Sequence, residues 1–278
     1  MSNIKLWSRR LFLFLIVIIA SSENVFADNY MRSEGEGYYT SRLQYDTARD
    51  RWDLNSTRVP MNCTARNWTL TQHYEYGLSY YNTVFGSADY LDRTCGIYGA
   101  SGIGDISLGI RRRLNIYKNG RSWEAEAIIP TGYSTTGNST IGSGLYGLRL
   151  GIFGSFGGNA DEGGTPTLET GANIYDWEGT AAKQLTGYIK YNVISSDVRH
   201  FYGVIEGGYA LTNRNQNTTT TINRVSDYGY DRINTRLGFS TKMTLNWRIA
   251  IEGTHVLRGR NINDSNSVVL IFSRNFSS

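Results

Sequence analysis

Proline, cysteine and histidine are what this chain has least of: three, two and three among 278 residues. So few histidines and cysteines, scattered without ligand spacing, exclude a zinc-finger-like metal cluster, and no cofactor motif stands out. Scarce proline removes the residue that cannot donate to a β-ladder, so long strands can run unbroken. Charge of one sign is also missing. Lys and Arg number 28 against 24 Asp and Glu, mixed along the chain, which leaves no basic footprint for nucleic acid. Beyond the first thirty residues there is no long apolar run, so no later segment supplies the ~20 residues of a spanning helix. Apolar residues at helical spacing are few throughout. Glycine and tyrosine, by contrast, are plentiful at 31 and 20.

The first residues set the compartment. Lys5, Arg9 and Arg10 precede the apolar core from Leu11 to Ala20, and Val25-Phe26-Ala27 ends in the small residue that a signal peptidase reads. The core is shorter than a membrane span, so residues 1–27 are expected to be a cleaved signal peptide and 28–278 the mature domain. The removed segment holds three basic residues and one acidic, so the formal +4 of the chain falls to +2. Export also explains the cysteines: in an oxidising compartment Cys63 and Cys95 are expected to pair.

What the mature chain does have is alternation. In WTLTQHYEYGLSY, from Trp68, the residues Trp68, Leu70, Gln72, Tyr74, Tyr76, Leu78 and Tyr80 share one side. Thr, His, Glu, Gly and Ser occupy the other, the period of a strand with one apolar face. Ile106, Leu108 and Ile110 alternate with Ser107, Gly109 and Arg111. Trp123, Ala125, Ala127 and Ile129 alternate with Glu124 and Glu126, and Leu148, Leu150 and Ile152 flank Arg149. The same pattern recurs around Lys190, Arg232, Arg236, Arg248 and Glu252, and ends in Val268, Leu270 and Phe272.

Counted this way the sequence predicts twelve strands at 37–45, 67–77, 82–91, 103–114, 122–131, 145–156, 167–177, 184–193, 201–211, 230–241, 246–257 and 267–276. Segments of roughly 9–11 residues cross a bilayer when tilted. Connections alternate between tight turns, at KNG around Asn119 and after Phe239, and longer polar loops at 46–66, 92–102, 132–144, 212–229 and 258–266. Short turns at one end and long loops at the other predict a transmembrane antiparallel up-and-down β-barrel in an outer membrane, with both termini periplasmic. A soluble β-sandwich also alternates, but its inner faces are filled mainly by bulky aliphatics; here Tyr, Trp, Gly and Ala dominate the apolar face.

The barrel reading assigns faces. Hydrocarbon takes the apolar set; the lumen takes Arg42, Glu75, Arg111, Arg113, Glu124, Glu126, Arg149, Glu169, Lys190, Glu206, Arg232, Arg236, Arg248 and Glu252. Arg111 and Arg113 are expected opposite Glu124 and Glu126. Arg112, with outward parity, must sit at the periplasmic interface, because arginine at the lipid midplane costs ~2–4 kcal/mol. Trp68 and Trp177 at outer strand ends, and Trp123 and Trp247 at inner ends, are expected to form the interface girdles. A Cys63–Cys95 bridge would staple the first two long loops.

Several segments carry a family resemblance. GIGDISLGIRRRL followed by AIIPTGY, the earlier EYGLSYYNTVFG, LRGRN and the closing VVLIFSRNF resemble the outer-membrane family named for the meta pathway of phenol degradation. That resemblance covers most of the mature chain. It implies a barrel in a Gram-negative outer membrane, inserted by the barrel-assembly machinery and passing small solutes as a channel or transport component. Ser277 and Ser278 depart from a terminal aromatic by following Phe276.

Three functions follow from these faces. Lumen arginines outnumber lumen acids, so a channel with weak anion preference is expected; paired across strands, the same residues would instead make a closed structural or partner-binding barrel. A barrel enzyme acting on membrane lipid at its outer rim would need a base, for which His255 has outward parity. No serine motif accompanies it, and the expectation is a non-enzyme.

Overall fold

The computed structural model describes residues 31–114, 121–131, 145–157, 167–178, 183–194, 198–211 and 231–277. These form twelve strands: β1 (Glu36–Trp52), β2 (Arg58–Ser79), β3 (Asn82–Cys95), β4 (Tyr98–Arg113), β5 (Ser122–Ile129), β6 (Gly147–Gly157), β7 (Thr167–Trp177), β8 (Gln184–Ile194), β9 (Arg199–Ala210), β10 (Asp231–Lys242), β11 (Trp247–Arg260) and β12 (Ile262–Ser277). Each pairs antiparallel with its chain neighbours, and β1 pairs with β12, closing the sheet into a barrel. Closure leaves no unpaired sheet edge, the condition under which β-structure can cross hydrocarbon.

Polarity is inverted relative to a water-soluble core. Leu148, Leu150 and Ile152 are 46–49% exposed and Leu237 is 73% exposed, whereas Glu124 is 2% exposed. Burying such an aliphatic side chain is worth roughly 1.5–3 kcal/mol, a gain that water around the barrel forfeits and hydrocarbon restores. Arg112, the penultimate residue of β4, is exposed and pairs with Asn82 at the start of β3 and with Trp123 near the start of β5. That is the end of all three strands at which β1 begins and β12 ends, where a cation on the outer face can reach water.

Three segments expected as loops are largely strand. The 46–66 stretch continues β1 and β2 to a turn at 53–57, in which Asp53 Oδ1 accepts the amide N–H groups of Asn55 and Thr57 at 2.8 Å and Ser56 adopts φ 58°. The 92–102 stretch is a hairpin turning at Gly96, φ 62°, and 258–266 turns at Asn261, φ 56°. Alternation did not reveal them because strand segments standing above the bilayer are wetted on both faces and have no apolar side. The 132–144 and 212–229 stretches and the KNG turn lie outside the described residues. After Phe239, β10 runs on to Lys242, and the reversal is held by Met243 N–H donating to the Trp247 carbonyl at 2.9 Å.

Ahead of β1, residues Met31–Ser33 fold back into the barrel mouth at which β1 begins. Met31 is buried, and Gly77 makes room for the fold-back: a Cβ there would fall 1.9 Å from the Ser33 carbonyl oxygen. Arg32 donates its backbone N–H to Thr83 Oγ1 at 3.1 Å, and its guanidinium stands 4.0 Å from the Tyr38 ring centroid.

Candidate functional site

Strand alternation sends the ionic residues inward, and the barrel divides them between two stretches of wall. On the β2–β6 wall, Arg111 Nε donates to Glu124 Oε2 at 2.9 Å, directly across the β4–β5 ladder. Its NH1 reaches over β3 to Glu75 Oε1 at 3.2 Å. The reach is possible because the Phe85 ring lies flat over Gly109, where a Cβ would come within 2.2 Å of it, and Arg111 rides 5.4 Å above that ring. Arg32 Nε donates to Glu75 Oε2 at 2.7 Å, and His73 Nε2 lies 3.1 Å from Oε1. Arg149 binds both Glu124 and Glu126. Three arginines thus meet three carboxylates, and the hydrogen bonds offset the desolvation that burying the charges costs.

The sequence-expected partnership of Arg113 with Glu126 does not form. Arg113 faces Ser122 and lies 4.5 Å over the Tyr80 ring, while Glu126 faces Gly109 and is held by Arg149 from β6. The β4–β5 register staggers the pairs by one inward position, so Glu124, not Glu126, is the residue opposite an arginine.

The second wall runs from β8 through β12 to β1. Glu206 on β9 is shared by Arg232, whose NH2 contacts Oε1, and by Arg236, whose NH2 donates to Oε2 at 3.1 Å. Glu252 on β11 accepts the Tyr202 hydroxyl on Oε1 at 2.6 Å. Its Oε2 stands 3.6 Å from Arg236 NH1 and 3.7 Å from Arg42 NH2, close enough for Coulomb attraction but beyond hydrogen-bond length. Tyr202 spans β10 by lying over Gly238, where a Cβ would fall 2.2 Å from the ring. Lys190 and Asn192 both bind Glu169, at 3.1 and 2.7 Å. Arg248, nearer the end at which β11 begins, donates to Ser240 Oγ at 3.1 Å. In the network joining Arg42, Arg232 and Arg236 to Glu206 and Glu252, three cations face two anions.

Sequence reading missed Arg32, Tyr202 and the two inward glycines. The available signal was an inward glycine with an inward aromatic on the neighbouring strand, as in Phe85–Gly109 and Tyr202–Gly238. The outer rim carries further ion pairs, Arg58 with Asp50 and Asp264 at 2.7 Å each and Arg260 with Asp231 at 3.0 Å. Among the described residues no group of three or more His, Cys, Asp or Glu is placed to hold a metal.

The expected tryptophan girdle divides. Trp68 is exposed, 4.6 Å from the Tyr45 ring and opposite Asp92, an outer-face acid that marks the end of the apolar band. Trp123 stands beside Arg112, and Trp247 lies 5.3 Å beneath Arg274. Trp177 differs: it shares the lumen face with Tyr175, stacked at 12°, and covers Gly147, where a Cβ would meet its ring at 2.6 Å. Cys63 and Cys95 are disulfide-bonded with Cα atoms 5.4 Å apart. The bridge ties β2 to the last residue of β3, not loop to loop, and packs with Ala48, Met61 and Ala65 in a small apolar cluster.

No protein-family model matches the chain, and no curated protein matches it. Solved structures do. The crystal structure of an outer membrane channel from Pseudomonas putida F1 is similar with a TM-score of 0.71 at 14% identity, over 91% of this chain and all of that one. The β-domain of the Bordetella autotransporter BrkA is similar with a TM-score of 0.52 at 10% identity, over 88% of this chain and all of that one. At such identities the likeness carries the architecture alone, and the two proteins named use it for different ends. The fold of this chain is the twelve-stranded, closed, antiparallel barrel of outer-membrane proteins.

Proposed function

We propose that this chain is an outer-membrane channel for small solutes with a weak preference for anions. The carrying observation is the arginine-rich wall, where Arg42, Arg232, Arg236 and Arg248 outnumber Glu206, Glu252 and Asp46. Rings and ladders of fixed charge set the selectivity of pores, and a twelve-stranded barrel lies between those filled by side chains and those with a water channel. The likeness to the Pseudomonas channel and the resemblance to the phenol meta-pathway family support transport as the role. Residues 1–27 would direct export and be removed, and the barrel-assembly machinery would read the closing strand at Phe276. Reversal potential across a planar bilayer under a potassium chloride gradient tests the reading. A potential toward the chloride equilibrium is expected; one toward potassium, or no conductance at all, overturns it.

A lipid-acting enzyme is supported by one contact, His255 Nδ1 with Asn266 Oδ1 at 2.8 Å, which is the arrangement of a base with its orienting group. Among the described residues no hydroxyl hydrogen-bonds His255, and the nucleophile this chemistry needs is missing. Phospholipid turnover by the purified barrel, unchanged in His255→Ala, is the outcome that favours the channel.

A further inference from the structure

We propose that the lumen binds a neutral oligosaccharide along β6, β7 and β8, on two aromatic stations separated by a polar step. The site rests on the channel reading, because a sugar chain must enter the lumen to reach it. Each station gathers inward rings around an inward glycine. At the first, Trp177 covers Gly147, its register partner on β6, where a Cβ would meet the ring at 2.6 Å. Tyr175 lies nearly parallel to Trp177, at 12° with centroids 6.2 Å apart. At the second, Gly171 is the floor for both Phe153 and Tyr188: a Cβ there would fall 2.7 Å from one ring and 2.5 Å from the other. Their centroids are 6.4 Å apart.

A ring laid on a glycine has one face against the wall and turns the other to the lumen. Trp177, Tyr175, Phe153 and Tyr188 are all half-buried. Between the stations, Asn173 pairs with Gly151 on β6 and with Thr186 on β8, and its Nδ2 donates to Thr186 Oγ1 at 3.5 Å. From Gly171 to Trp177 the surface runs roughly 20 Å, at about 3.3 Å per residue. Two other inward rings are already covered, since Arg111 lies 5.4 Å over Phe85 and Lys190 lies 5.0 Å over Tyr202. Among the described residues no cation lies over Trp177.

The chemistry of this surface selects the ligand class. A ring face carries the negative side of its quadrupole, which suits the polarised C–H groups on the flat side of a pyranose and disfavours a second arene laid face to face. Asn173 and Thr186 can meet hydroxyl groups at the edge of a sugar. An arene seated across them would strip their water and return no hydrogen bond. The charged groups that border the stretch are engaged across the sheet: Arg149 with Glu124 and Glu126, Lys190 with Glu169, and Glu206 with Arg232 and Arg236. A neutral ligand leaves those pairs intact, and the length of the surface suits several sugar units in a row.

The test uses the full mature barrel in a planar bilayer carrying potassium chloride, with maltohexaose as the probe. Maltohexaose is expected to reduce the current saturably. Trp177→Leu and Tyr188→Leu are each expected to raise the half-blocking concentration roughly three- to tenfold, through loss of a stacking face. Trp177→Phe and Tyr188→Phe keep a ring and should restore most of the block. Phe85→Leu removes a ring that also sits on a glycine but is covered by Arg111, so it should leave the block unchanged. Absence of saturation, a block indifferent to both Leu variants at the stations, or an equal loss in Phe85→Leu overturns the proposal. Calorimetric titration of the barrel in lauryldimethylamine oxide, a detergent without sugar, compares maltohexaose with nicotinamide, a neutral arene, and needs no current. Maltohexaose should bind and nicotinamide should bind more weakly; no binding of the sugar, or equal or tighter binding of the arene, overturns the proposal too. Conductance and reversal potential in potassium chloride alone report the channel separately, so failure of the sugar to bind leaves that reading intact.

Discussion

The ring of Phe276 lies over Gly37 at the seam where the last strand meets the first. The two residues are register partners, a Cβ on Gly37 would fall 1.9 Å from the ring, and the ring stacks on Tyr74 with centroids 5.6 Å apart. The glycine is the recess into which the closing aromatic fits. Gly37→Val should displace Phe276 and destabilise the barrel by about 1–3 kcal/mol, the usual cost of overpacking. Urea unfolding in lipid vesicles, followed by the mobility of unheated samples on gels, checks it; an unchanged midpoint would show that closure does not use this fit.

Glu124 is the shared acceptor of Arg111 and Arg149 and is 2% exposed. Replacing it with Ala leaves both guanidiniums short of a partner inside the wall. The expected loss is about 3–5 kcal/mol, as for breaking a buried ion pair. Lys183→Ala, which removes an exposed pair with Asp176 at 2.7 Å, should cost at most about 1 kcal/mol. Similar midpoints for the two variants would contradict the ionic wall as a source of stability.

Tyr202 and Gly238 act together. Tyr202→Phe removes the donor from Glu252 Oε1, and Gly238→Ala forces the ring off its seat to the same effect. Each should lower stability by about 1–3 kcal/mol, the range for an acceptor left unsatisfied. In the double variant the losses should fall well short of additive, because both act on one contact. Full additivity in the same unfolding assay would sink that account.

The Cys63–Cys95 bridge spans 32 residues of sequence. In the chain-entropy account a loop of that length is worth roughly 3–4 kcal/mol. Dithiothreitol, or the Cys63→Ser/Cys95→Ser pair, should lower the urea midpoint while leaving the unheated barrel's gel mobility unchanged. Loss of the folded band under reduction alone would mean that the bridge is required for the barrel itself.

Alternation such as Leu148-Arg149-Leu150 determined the fold class, the strand count and the face of most charged residues. That information is local: every strand meets hydrocarbon on one side and the lumen on the other, so each carries its own period of two. Strand ends at 46–66 were illegible because both faces there meet water. Partner choice was decided by the closed barrel alone. Arg113 misses Glu126, Trp177 turns inward over Gly147, and Arg32 reaches Glu75 from ahead of the first strand. Stagger between neighbouring strands is set by closing twelve of them into one ring, and no single strand records it. The sequence determines which side chains face inward; the ring decides which of them meet.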